Sequence, residues 1–170
     1  PFNHFDWKLD FPEVLNPALL PNQELGFDLL VGNPPYINIS NLKPEEYRLF
    51  LRSKFRSAKN KSDIYAFFLE KGLLLLKKQG VLGYIIPQTW KATESFFNLR
   101  NIIFNEKSLL KVVDLDFGTF DAIVKPMIVL ISNNFKQQLY IEIFDKTFNK
   151  ISTIKIEEIL ADVNLSLNTN

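Results

Sequence analysis

The sequence contains no cysteine, a single histidine, one methionine and only six glycines in 170 residues. Without cysteine there is no disulfide framework and no thiolate metal site. His4 has no partner at a recognisable ligand spacing, so we predict no metal site. No uncharged apolar run approaches the roughly 20 residues that span a bilayer, and no signal-peptide pattern is present. We therefore expect an intracellular, cytoplasmic protein that does not enter a membrane.

Charge is nearly balanced, with 20 basic and 19 acidic residues and a formal net charge of +1. The field of the whole molecule therefore does not indicate a nucleic-acid-binding protein. Residues 43–61 are different, because they hold seven basic residues and two acidic ones, an excess of five. The basic residues are Lys43, Arg48, Arg52, Lys54, Arg56, Lys59 and Lys61. Charge alone leaves two interpretations open, a solvated helix face or a surface for a polyanion.

Apolar periodicity divides the chain into alternating strands and helices. A continuous apolar run at 25–32 predicts a strand buried on both faces of a parallel sheet. Further strands are predicted at 81–87, 109–117, 126–132 and 139–145, and helices at 45–56, 62–79 and 93–105. We expect Gly80 to end the second helix. This order predicts an α/β fold with a mostly parallel sheet, flanking helices and an antiparallel edge.

The stretch "FDLLVGNPPYI" breaks the first strand with an amide, two prolines and a tyrosine. Ligands of open α/β sheets bind beyond the carboxyl ends of strands, where Asn33 lies. Prolines lack a backbone N–H, so this loop offers mainly acceptors, the Asn33 amide oxygen and the Pro34 carbonyl. Tyr36 adds a flat aromatic surface. Two acceptors can bind both protons of an exocyclic amine such as adenine N6 and direct its lone pair at an electrophile. The alternative is ordinary turn chemistry, which also favours Asn and Pro.

The segment "GFDLLVGNPPYI" closely resembles motif IV of S-adenosylmethionine-dependent N6-adenine DNA methyltransferases of the γ class. The resemblance extends to three further segments. "FDWKLDFPEVL" (5–15) resembles the stretch before motif IV in the bifunctional type IIG restriction–modification enzymes. "SDIYAFFLEKGLLLLKKQGVLGYIIPQTW" (62–90) is similar to motifs V and VI, and "VVDLDFGTFDAIVKPMIVLIS" (112–132) to motif VIII. Together they cover residues 1–135.

The resemblance implies a partial Rossmann-like methyltransferase fold. Residues 1–145 would be the C-terminal part of the catalytic domain, from motif IV to motif VIII. Residues 146–170 would be a linker or tail towards a target-recognition domain. The chain starts at Pro1 rather than Met and lacks the family's Gly-rich cofactor loop, so we expect a fragment whose N-terminal cofactor half is missing. We therefore expect weak or absent binding of S-adenosylmethionine.

The resemblance also assigns roles to residues. Asn33 and Pro34 would bind the target amine next to the cofactor, and Tyr36 would stack on the extruded base. Substrate contacts would come from Pro35, Phe120, Lys43, Arg48, Arg52, Lys59 and Lys61. The basic residues would contact phosphates of double-stranded DNA, which position the duplex without reading its sequence. The alternative for Phe120 is that it packs within the protein and does not contact the base. Asp63 is interpreted as a helix cap, Asp114 and Asp116 as structural carboxylates, and Trp7 and Trp90 as core or interface anchors.

Three functions are compatible with these patterns. The first is DNA adenine N6-methylation, within a restriction–modification system that would include an endonuclease. The second is methylation of a different planar nitrogen, in a protein glutamine or an RNA adenine, by the same motif. The third is a non-catalytic DNA-binding fragment.

Overall fold

The residues that the structure describes fold into six strands, which form one sheet, and six short helices. The computed structural model describes residues 5–21, 23–57, 62–116, 124–134 and 138–169. The strands are β1 (Phe27–Gly32), β2 (Leu76–Pro87), β3 (Ser108–Asp114), β4 (Pro126–Ser132), β5 (Tyr140–Phe144) and β6 (Lys150–Lys155). The helices are α1 (Trp7–Asp10), α2 (Pro12–Leu15), α3 (Glu45–Lys54), α4 (Ile64–Leu75), α5 (Phe97–Glu106) and α6 (Ile156–Ala161). Short 3-10 turns occur at Ile39–Asn41, Gln88–Lys91 and Glu94–Phe96.

The strand order in the sheet is β1-β2-β4-β3-β5-β6. β1 pairs in parallel with β2, and β3 with β5, whereas β4 is antiparallel to both β2 and β3, and β6 to β5. The predicted α/β class is confirmed. The sheet is mixed rather than mostly parallel, however, because β4 lies inside it and not only at an edge. Only eleven residues separate Asp114 from Pro126, which is short for a parallel crossover connection.

Helices α4 and α5 cover the same face of the sheet, since α4 contacts β2, α5 contacts β3, and the two helices contact each other. Tyr65 and Leu69 of α4 and Leu99 of α5 are fully buried there. Phe96, just before α5, stacks on the ring of Tyr65 with the centroids 5.2 Å apart. Each such side chain contributes about 1.5–3 kcal/mol by leaving water. This face is the core that holds the strand ends in position.

The boundary between α4 and β2 differs from the prediction. The helix ends at Leu75 and the strand begins at Leu76, so the predicted helix end at Gly80 is wrong. The leucine-rich run suits either structure, and its length alone does not decide between them. Gly80 has another role, since a Cβ there would lie 2.7 Å from the carbonyl oxygen of Phe27. The pairing jumps from Phe27–Leu76 to Leu29–Val81, so extra residues of β2 bulge from the ladder at this contact.

Strand β1 lies at one end of the sheet. The prediction that it is buried on both faces is wrong, because Leu29 is 59% and Val31 is 77% exposed. Apolar composition predicts the strand, but it does not specify which of the strand's side chains other elements cover.

The C-terminal segment packs on the domain, although residues 146–170 were expected to be a linker or tail. β6 pairs with β5, and Leu165 and Leu167 are buried after α6. The Leu167 N–H donates to the Lys91 carbonyl at 2.9 Å. Packing therefore continues past residue 145, and a connection from here to a target-recognition domain stays a prediction. In the part of the chain that the structure describes, no helix is long and apolar enough to cross a membrane.

Candidate active site

The motif loop begins where β1 ends. Gly32, the last residue of the strand, lies opposite Tyr84 of β2. Beyond it Pro34 is buried, whereas Asn33 and Pro35 are exposed. Among the described residues, neither the Asn33 side chain nor the Pro34 carbonyl oxygen takes part in a hydrogen bond. Neither acceptor is therefore occupied by another described residue, and its availability to an incoming donor stays a prediction.

The loop is braced by the beginning of α4. The Ile64 N–H donates to the Ile37 carbonyl at 2.8 Å, and the Ile39 N–H to the Ser62 carbonyl at 3.1 Å. The Asn38 amide donates to the Asp63 carboxylate at 3.0 Å. Burial raises the pKa of Asp63, and the bond from Asn38 opposes that shift. Asp63 occupies the N-cap position of α4, but its side chain makes no capping bond to the helix.

Tyr36 is held by its hydroxyl group and leaves part of its ring accessible. The hydroxyl donates to the Ile85 carbonyl of β2 at 3.2 Å. The ring meets Tyr65 edge to face, with centroids 6.4 Å apart and planes at 81°. Partial burial raises the pKa of Tyr36. A neutral phenol bonded to backbone is suited to present an aromatic surface and poorly suited to accept a proton.

Two further strands end at the same edge of the sheet. The Gln88–Lys91 turn follows β2, and Asp114 ends β3. The Gln88 amide donates to the Asp114 carboxylate at 3.1 Å, and the hydroxyls of Tyr65 and Thr89 are 3.0 Å apart. Sequence reasoning missed Gln88 and Thr89 as site residues. The signal that could have found them is the one that found Asn33, a polar side chain just past a strand's carboxyl end.

A buried arginine fixes the turn after β2. Arg100 is fully buried and donates from Nη1 to the carbonyls of Trp90 at 2.8 Å and Thr93 at 2.7 Å. Its Nε donates to the Asn164 carbonyl at 2.9 Å, which ties the C-terminal segment to the same turn. Burial lowers the pKa of Arg100. Trp90 is fully buried, which confirms its predicted core role.

Three of the five predicted phosphate-contacting residues lie on or just before α3. Lys43 and Arg52 are exposed, and Arg48 pairs with Glu45 at 2.8 Å. Arg56 is set apart from this group, because it donates two hydrogen bonds to Glu106 at 2.7 and 2.8 Å. Its role is therefore to join the end of α3 to α5.

Three of the predicted site residues, Lys59, Lys61 and Phe120, lie outside the described residues. The structure brings Asn33, Pro34, Pro35 and Tyr36 together in one loop at the end of β1. The roles assigned to all of these residues stay predictions.

The described residues offer hydrogen-bond acceptors for an amine but no Gly-rich turn for a cofactor. Their glycines are distributed singly in or beside strands and helices, and none forms a Gly-rich turn after a strand. Among the described residues, no group of three or more His, Asp or Glu side chains could hold a metal ion.

The fold is that of a class of methyltransferases. It resembles the methyltransferase subunit of a type I restriction–modification system from Streptococcus thermophilus, with a TM-score of 0.52 and 26% identity over 82% of this chain and 32% of that chain. The type IIG restriction endonuclease BpuSI gives a TM-score of 0.54 at 19% identity, covering 81% of this chain and 16% of that one.

Sequence comparison then identifies the family. Residues 1–120 match the Eco57I restriction-modification methylase model, and the chain belongs to that family. It is 35% identical over 108 residues to the type II restriction enzyme and methyltransferase RM.Eco57I of Escherichia coli, covering 62% of this chain and 10% of that protein. It is 33% identical over 117 residues to the type II methyltransferase M.PaeR7I of Pseudomonas aeruginosa, covering 67% of this chain and 20% of that protein. The chain thus matches only a tenth to a fifth of these relatives' length.

Proposed function

We propose that this chain is the amine-binding part of a DNA methyltransferase that acts on adenine N6 in double-stranded DNA within a restriction–modification system. The observation that carries the proposal is the motif loop. Two acceptors without partners among the described residues, at Asn33 and Pro34, lie in a braced loop two residues from the half-buried ring of Tyr36. Membership of the Eco57I family supports the reaction class.

The loop would act on the target amine. Asn33 Oδ1 and the Pro34 carbonyl accept the two N–H protons of adenine N6, which favours a more tetrahedral nitrogen with its lone pair free. When bound to the complete domain, S-adenosylmethionine supplies an electrophilic methyl group. As the bond from N6 to the methyl carbon forms and the carbon–sulfur bond breaks to leave a neutral thioether, positive charge would pass from sulfur to N6 opposite the two oxygens, which would stabilise it. The surplus proton of the methylated amine is acidic and leaves to water, so no strong general base is required.

The base must leave the duplex to reach this loop. Extrusion costs a few kcal/mol, and stacking on an aromatic ring returns about 1–3 kcal/mol. Tyr36 would supply one stacking face, and Phe120 would pack against the base from motif VIII. Lys43, Arg48, Arg52, Lys59 and Lys61 would contact phosphates. Such a protein would work beside the cell's DNA, in the cytoplasm.

The cofactor half would come from chain that precedes Pro1 in the complete protein. The length of the relatives supports this proposal, and so does the position of β1 at the end of the sheet, where a further strand could pair. A target-recognition domain would supply sequence specificity, and a nuclease would be encoded with the system.

The test is to identify the product. The full-length protein that contains this chain is incubated with DNA and methyl-labelled S-adenosylmethionine, and the digested nucleosides are analysed by mass spectrometry. We expect label in N6-methyladenine. Label in methylglutamine of protein substrates, or only in RNA, would contradict the proposal and assign the motif to another planar nitrogen.

A further inference from the structure

A second polar site lies at the same sheet edge as the motif loop. A cavity of about 600 Å³ opens between the turn after β2, the start of β4 and the C-terminal segment. Its walls include two lysines, Lys91 and Lys125, and the amide and hydroxyl side chains of Gln88, Thr89, Thr93 and Thr169. None of its lining residues is acidic.

The two lysines give this cavity an excess of positive charge. Both side chains are half-buried, and the Lys125 ammonium group makes no hydrogen bond or ion pair with another described residue, although the Lys125 carbonyl accepts from the Gln88 N–H at 3.0 Å. Burial and the nearby charge of Lys125 lower the pKa of Lys91, while the charge of Asp114 opposes that shift. Asp114 is itself engaged by the Gln88 amide. An anion between the two ammonium groups would relieve their repulsion.

Lys91 is held in place before any ligand binds. Its ammonium group donates to Thr169 Oγ1 at 2.7 Å, and its carbonyl accepts from the Leu167 N–H at 2.9 Å. Arg100 fixes the turn on which it lies through bonds to Trp90 and Thr93. A lysine on so constrained a backbone loses little freedom on binding.

The cavity is linked to the motif loop by direct contacts. The Thr89 hydroxyl, in the cavity wall, is 3.0 Å from that of Tyr65, and the Tyr65 ring meets Tyr36 edge to face. The loop presents acceptors, whereas the cavity presents ammonium, amide and hydroxyl donors. A nucleotide has the complementary polarity, with a donor amine on its base and an anionic phosphate on its backbone.

We propose that this cavity binds a backbone phosphate of the DNA strand that carries the extruded adenine, with Lys91 and Lys125 as its ligands. The inference rests on the proposed function and adds a positioning site to it. Gripping the backbone beside the target nucleotide would hold the base in register with Asn33 and Pro34.

The experiment measures salt-dependent binding by the full-length protein. Each lost phosphate contact lowers the slope of log Kobs against log salt by about 0.9. We expect the double variant Lys91→Gln/Lys125→Gln to lose about one unit of slope. The matched control, Lys78→Gln/Lys155→Gln, removes the same charge from the opposite edge of the sheet and should keep the slope. A thermal midpoint equal to that of the wild type in each variant would establish that the fold is intact.

Single methylphosphonate substitutions around the methylated adenine locate the phosphate. Neutralising one flanking phosphate should weaken binding by the wild type and have no further effect on the Lys91/Lys125 variant. An unchanged slope in that variant would overturn the proposal. Binding of inorganic phosphate is measured on the same proteins. If the Lys91/Lys125 variant loses phosphate binding but keeps the DNA slope, the cavity binds free phosphate rather than DNA, and the proposal is overturned. The slope is read from binding alone, so a failure to find N6-methyladenine would overturn the proposed function separately.

Discussion

The role of Tyr36 can be separated into its ring and its hydroxyl group. The hydroxyl donates to the Ile85 carbonyl at 3.2 Å, which is at the long end of such bonds. Losing it should cost about 0.5–1 kcal/mol. If all of that loss appears in the transition state, Tyr36→Phe should slow methylation by about two- to fivefold.

Removing the ring should cost more. Stacking of a base on an aromatic side chain is worth about 1–3 kcal/mol, so Tyr36→Ala should slow methylation by about five- to 150-fold. The assay is single-turnover methyl transfer to duplex DNA by the full-length protein. Tyr140→Ala is a suitable control, because this tyrosine is partly exposed at the amino end of β5, away from the motif loop.

The comparison of the two variants tests the argument. If the phenol acted as a general base, Tyr36→Phe would be as damaging as Tyr36→Ala. Burial raises the pKa of this phenol, and its proton is donated to a backbone carbonyl. We therefore expect Tyr36→Phe to be much less damaging than Tyr36→Ala. Equal losses in the two variants would refute the assignment of Tyr36 as a stacking surface.

Two further predictions concern stability. The buried Glu70 carboxylate accepts the N–H groups of Arg56 at 3.1 Å and Ser57 at 2.8 Å. Glu70→Ala should therefore cost about 2–4 kcal/mol in urea unfolding, and Glu70→Gln less, because it keeps one acceptor; a loss below about 0.5 kcal/mol would contradict this reading. Glu106 has its pKa lowered from 4.5, mainly by the hydrogen bond from Arg56. The pair thus stabilises the fold above that value and loses its effect as pH falls through the folded-state pKa. Because both groups are partly exposed, Glu106→Gln should cost under about 1 kcal/mol at about pH 7, and its difference from the wild type should shrink as pH falls below 4.5.

The sequence predicted strands well where apolar runs are bounded by turn residues. β4 forms at 126–132 as expected, between Lys125 and Asn133. The end of α4 could not be predicted in the same way, because leucines followed by lysines suit a helix or a strand. In the structure the chain from Leu76 onwards pairs with β1 and β4, and such tertiary pairing is not specified by the local sequence.

Strand order was beyond local reasoning for a similar reason. The local sequence specifies neither that β1 lies at the end of the sheet nor that Val31 is exposed there. The motif loop was predictable because its chemistry is local, with two prolines and an asparagine just past a strand. The cavity beside it was not, because Lys91, Lys125 and Thr169 come from three separate parts of the chain.

The central claim is that the Asn33 side chain acts on the amine. It is tested most directly by the rate of N6-methyladenine formation in Asn33→Ala, beside Asn105→Ala, which changes an exposed asparagine on α5. Removing one preorganised transition-state contact should slow the reaction by about 10²–10³-fold, while the Asn105 variant keeps the wild-type rate. An Asn33→Ala protein that folds, binds DNA and methylates adenine at the wild-type rate would contradict the account.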